Sequence, residues 1–120
     1  MTIEPHKLYP GIHQDALTYK YYKLRVLASS GHFSGTENLV MKVMADSFDS
    51  DPDVYMSRTN PNPHDSRDAE WYCEREGSET CVLHNGEFSL GDWIYIGVKC
   101  TTHCDYSLKA WYSQIIDLAD

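Results

Sequence analysis

The chain has 120 residues, 42% of them apolar, which suits one domain with a real core. It carries 10 Lys and Arg against 18 Asp and Glu, a formal net charge of −8. That balance argues against binding a phosphate backbone or an anionic membrane surface, and suits a cation or plain solubility. No apolar run reaches the ~18 residues of a membrane-spanning helix, and the first residues, MTIEPHKLYPG, show no secretory leader.

Taken in order, residues 1–12 read as an N-terminal arm. The stretch 19–27, YKYYKLRVL, alternates: Tyr22, Leu24 and Val26 share one side, Tyr21, Lys23 and Arg25 the other. A period of two predicts a half-buried strand. ASSGHFSGTE (28–37) is Ser- and Gly-rich and reads as a loop. NLVMKVMA (38–45) is a second strand, with Leu39, Met41, Val43 and Ala45 on one side. DSFDSDPDVYMS (46–57) carries Asp49, Asp51 and Asp53 in a D-x-D-x-D run before a third strand at 53–57. Pro61 and Pro63 make 58–68 a loop.

EWYCE (70–74) and ETCVL (79–83) read as short strands of a hairpin. Asn85-Gly86 signals a tight turn. In 93–99, Ile94, Ile96 and Val98 face one way and Trp93 and Tyr95 the other. In 106–112, Tyr106, Leu108, Ala110 and Tyr112 oppose Trp111. The tail 113–120 either extends that strand or makes a short helical turn. About eight short strands with turn signals every 8–15 residues or so mean one all-β domain, an antiparallel sandwich or barrel.

Four cysteines, at 73, 81, 100 and 104, allow three pairings. Two local disulfides, Cys73–Cys81 and Cys100–Cys104, are the leading expectation, worth roughly 2–3 kcal/mol each from loop entropy. They imply an oxidising compartment. A zinc site on CTTHC, with His103 and a distant His84 or His64, is the competing reading, but the C-x7-C and C-x3-C spacings are not those of a zinc knuckle. The histidines at 6, 13, 32, 64, 84 and 103 are otherwise scattered, and no Asn begins a glycosylation sequon.

Catalytic patterns are weak. GHFSG is not a G-x-S-x-G elbow, and nothing in the sequence gathers His13, Asp15 and Ser34 into a triad. No P-loop or dinucleotide fingerprint is present. The aromatics are more informative. Trp93, Tyr95 and Trp111, with Tyr19 and Tyr21, lie opposite the aliphatic sides of their strands. If 93–99 and 106–112 pair, these rings form one surface patch able to stack on sugars or grip a fibrous protein. The competing reading buries the rings as core.

Several segments, in order, resemble the bacterial pre-peptidase C-terminal domain family. DPDVY (51–55) is similar to its D-P-D-L-Y box, YC…ETC (72–81) to its paired-cysteine box, and Gly91, Trp93, Tyr95 and Val98 to its G-x-W-Y strand, with Ile94 where Tyr is usual. The likeness spans residues 10 to 112. It implies an eight-stranded jelly-roll sandwich and strengthens the Cys73–Cys81 pairing. It also implies a non-catalytic module appended to secreted or cell-surface proteins, some of which bind collagen, chitin or calcium. ASSGHFSGTENL is longer than the family's turn, and CTTHC lies outside its pattern.

The expected function is therefore an extracellular or cell-surface module, a fragment of a secreted protein, docking on a polysaccharide or protein polymer. The alternative is a structural unit of a coat or filament, assembling through its arm and edge strands, or a folding and secretion aid. Neither nucleic acid nor direct membrane insertion is expected. As an EF-hand begun at Asp49, the acidic run fails, with Val54 and Asn60 where Gly and Glu belong. It reads first as a turn into a strand, with calcium on Asp49, Asp51 and Asp53 and an arm carboxylate as the secondary expectation.

Overall fold

A computed structural model describes residues 1–28 and 33–114. The expectation for the end of the tail, and the Gly31 and His32 positions of the loop, lie outside these residues. Eight strands follow in order: β1 (Leu8–Gln14), β2 (Thr18–Arg25), β3 (Asn38–Ala45), β4 (Pro52–Ser57), β5 (Trp71–Cys73), β6 (Glu79–Leu83), β7 (Trp93–Cys100) and β8 (Cys104–Ser113). They build two antiparallel four-stranded sheets, ordered β1-β8-β3-β6 and β2-β7-β4-β5. The antiparallel pairs nest as β1 with β8, β2 with β7, β3 with β6 and β4 with β5. This is jelly-roll topology, two sheets closed face to face by chain crossings between them.

The period-two pattern predicts the inner faces well. Along β8, Tyr106, Leu108, Ala110 and Tyr112 are buried and their neighbours are not. Leu24, Val26, Leu39, Met41, Val43, Val54, Met56, Ile94, Ile96 and Val98 complete one core. A buried polar chain crosses it: Tyr22 and Tyr106 hydroxyls are 2.8 Å apart, and Tyr106 donates to Gln14 Oε1. Gln14 Nε2 in turn donates to the Thr18 and Val98 carbonyls. Each buried polar group in that chain has a partner, so it costs little and fixes how the sheets meet.

The structure revises three expectations. The arm is not free, because residues 8–14 form edge strand β1. Pro10 and Gly11 (φ 68°) sit in a bulge between Tyr9 and Ile12 that breaks the alternation. Met1 and Ile3 exchange backbone hydrogen bonds with Lys23, and Ile3 is only 2% exposed. Second, 70–74 and 79–83 do not form a hairpin: β5 and β6 are edges of opposite sheets. Third, β7 and β8 do not pair with each other, since the turn at 101–103 carries the chain across the sandwich.

Both disulfides form as expected, Cys73–Cys81 and Cys100–Cys104, with Cα–Cα distances of 5.9 and 6.0 Å. Each joins one sheet to the other, β5 to β6 and β7 to β8. The crossings that hairpins would have shortened are thus covalently pinned. Two such bonds fit an extracellular setting.

Candidate functional site

The acidic stretch 46–53 divides its aspartates among three surroundings. Asp46 accepts from the Ser107 hydroxyl. Asp49 is exposed, 3.7 Å from His103 Nε2. The Ser47 side chain, with His103 assisting, holds its carboxyl below the usual range. Asp51 and Asp53 turn to the other side, where they meet Glu79 at the start of β6. Oxygens of these three carboxylates all lie within 4.8 Å of one another. Of the expected aspartates, Asp51 and Asp53 lie in this cluster and Asp49 does not; the third carboxylate is Glu79 rather than one from the arm.

Local structure explains the placement. Pro52 begins β4 and, having no N–H, suits the first residue of a strand. Asp51 accepts the Gly77 N–H at 3.0 Å, which ties the start of β4 to the turn before β6. Gly77 holds φ +82°, a conformation that disfavours other residues. Along β6, Glu79 shares the inward side with Cys81 and Leu83, so it is 1% exposed. Neither of its carboxylate oxygens makes a hydrogen bond of normal geometry; the Arg75 main-chain N–H approaches without forming one. Burial, with the charges of Asp53 and Asp51, pushes its carboxyl up to about 7, against a partial offset from the Arg75 main chain and side chain. Burial first, then Asp51 and Glu74, raises Asp53 to about 6, and Lys99 opposes this. Among the described residues, no Lys or Arg makes an ion pair with any of the three.

An open cleft of about 370 Å³ adjoins the cluster, lined by Glu74, Arg75, Ser78, Glu79 and Thr80 among others. Tyr55, buried on β4, donates to Glu74 Oε2 at 2.5 Å and keeps that carboxylate beside Asp53. The set offers hard oxygen donors and concentrated negative charge, the chemistry of an alkaline-earth cation.

The expected aromatic patch divides in two. Tyr19, Tyr21, Trp93 and Tyr95 face outward from the β2–β7 pair, where Lys23 opposes Tyr95 and Arg25 opposes Trp93. Tyr19 and Tyr21 stack at 6.2 Å with planes 4° apart. Lys23 Nζ and the Arg25 guanidinium sit 4.7 and 5.3 Å from the Trp93 ring, and Lys99 Nζ 6.0 Å from Tyr19. Trp111 is on the far sheet, where it lines a separate cleft with His6, Lys42, Met44 and Lys109.

The 58–68 loop borders the first face. Gly97 has no side chain because the Pro63 carbonyl lies over it, where a Cβ would approach to 2.1 Å. Arg58–Glu70 contacts at 2.7 and 3.0 Å and backbone bonds to Asp65 and Asp68 hold the loop in place.

The other sequence candidates stay apart. Cys100 and Cys104 are spent in a disulfide, so CTTHC has no thiolates for zinc. His13 sits between Asp105 (2.8 Å) and Asp15 (3.2 Å), while the Ser34 hydroxyl donates to Glu37. Glu79 is the site residue that a search for aspartate spacing misses. Its signal was present: an ionisable residue in phase with the inward side of E-T-C-V-L. No protein-family model matches the chain, and no curated protein matches it, so the likeness to the pre-peptidase C-terminal domain rests on the boxes quoted above.

Proposed function

We propose that the chain is a non-catalytic binding module of a larger extracellular or cell-surface protein, similar in role to the pre-peptidase C-terminal domains it resembles. The observation that carries this reading is the outer face of β2 and β7. Four aromatic rings stand there, three of them (Tyr19, Tyr95 and Trp93) in register with Lys99, Lys23 and Arg25, on a molecule whose net charge is −8. Cations over ring faces attract them electrostatically and bring N–H donors to the same surface. Such a face suits a repeating polymer that offers flat apolar patches beside hydroxyl or acidic groups, in a polysaccharide or a fibrous protein. The sandwich braced by two inter-sheet disulfides gives that face a rigid base. The self-assembly alternative loses its free arm, whose hydrogen bonds go to β2 and β8 of the same chain.

Co-sedimentation with insoluble chitin, cellulose and collagen fibrils tests the proposal. The wild-type chain is expected in at least one pellet. A Trp93→Ala, Tyr19→Ala double variant should lose about tenfold in apparent affinity. Trp111→Ala, on the opposite sheet, should sediment like wild type. Absence from every pellet, or equal loss in the Trp111 variant, would count against this face.

A further inference from the structure

We propose that Asp51, Asp53 and Glu79 form a calcium site that clamps the two sheets of the sandwich together. The inference is independent of the docking face. It starts from Glu79: a carboxylate 1% exposed, with neither oxygen in a hydrogen bond of normal geometry, aimed at two further carboxylates. A buried anion without a well-formed hydrogen bond is costly unless something neutralises it. Two oxygens bound to one calcium ion at 2.3–2.6 Å can be no more than about 5 Å apart. The 4.8 Å bound on the three carboxylate oxygens meets that condition.

The donor chemistry selects the ion. All three groups are carboxylates, and the nearby cysteines are bonded to each other, so a soft or borderline metal finds no sulfur or imidazole here. The adjoining cleft leaves room for waters to complete the six to eight ligands that calcium takes. The scaffold is already tied. Asp51 is anchored to Gly77, and Cys73–Cys81 fixes the strand that bears Glu79. Asp51 and Asp53 flank the start of β4 in one sheet, and Glu79 begins β6 in the other. The ion would therefore act as a third link between sheets, beside the first disulfide. The rival occupant is a proton shared among the carboxylates, and it predicts no calcium binding.

The test is calorimetric titration of the chelator-stripped full chain with calcium chloride at pH 7.5, paired with thermal melts. One ion per chain is expected to bind, and about 2 mM calcium should raise Tm by about 5 °C or more. Asp51→Asn and Glu79→Gln should each weaken binding at least about tenfold, whereas Asp49→Asn should bind like wild type. Asp51 is exposed, so its variant keeps the test decisive if the Glu79 variant fails to melt cooperatively in chelator. No heat and no Tm shift up to about 5 mM calcium, full affinity in Asp51→Asn, or equal loss in Asp49→Asn would each overturn the site.

Discussion

Asp49 and Asp53 stand four residues apart in one acidic run and meet opposite fates. Asp49 is exposed, and Ser47 and His103 favour its charge. Asp53 is half-buried beside Asp51, Glu74 and Glu79, and its carboxyl is pushed up to about 6. One loop thus has an outer side where negative charge is solvated and paired, and an inner side where it is crowded. Spacing along the chain does not make a site; the element that arrives from the other sheet does. Here that element is β6, delivered by the Cys73–Cys81 bond.

The largest expected effect breaks the inner side by releasing β6. Replacing Cys73 and Cys81 with serine should cost about 2.5 kcal/mol in urea unfolding, and the Cys100–Cys104 pair about 2 kcal/mol. The two losses are similar in stability but should differ at the acidic cluster. Only the first should weaken calcium binding, because only it loosens Glu79 relative to Asp53.

Next in size, Glu79→Gln measured in chelator at pH 7.5 should stabilise the fold by about 2 kcal/mol. It removes a buried charge and supplies a donor to Asp51 and Asp53. Destabilisation of that size instead would mean that Glu79 is held by a contact of its own. On the outer side, Asp49→Asn should change Tm by no more than about a degree, since exposed pairs contribute little.

The smallest effect is a pH slope. Asp105, then Asp15, raise the pKa of exposed His13. A raised histidine favours the protonated fold, so its contribution is complete below about pH 6.5. It is lost as pH rises through the raised value. His13→Gln should flatten Tm against pH over that interval and nowhere else.

How much of this was legible in sequence depends on what hides a pattern. NLVMKVMA gave β3 at its observed bounds, Asn38–Ala45, because Leu39, Met41 and Val43 on one side are all core. Leu8–Gln14 was hidden because Pro10-Gly11 puts a bulge in the middle of an edge strand, where few side chains are buried. The cysteine pairs were legible by proximity in sequence, but not their role across the sheets. That role depends on which sheet each strand joins, and alternation within a strand carries no such information. Alternation put the aromatic rings opposite the aliphatic side of their strands but left open which side was core; burial of Ile94, Ile96 and Val98 decides it. The division of the rings between two faces followed from β7 and β8 crossing the sandwich rather than pairing. Glu79 was visible as a letter in the cysteine box; its burial needed the parity of β6 and the arrival of β4 beside it.

The account turns on what neutralises the inner carboxylates. Diffraction from crystals grown with calcium, recorded for anomalous signal, would locate the ion directly. The account predicts one peak about 2.4 Å from oxygens of Asp51, Asp53 and Glu79 together. A peak at Asp49 and His103 with none at Glu79, or no peak at either place, would contradict it.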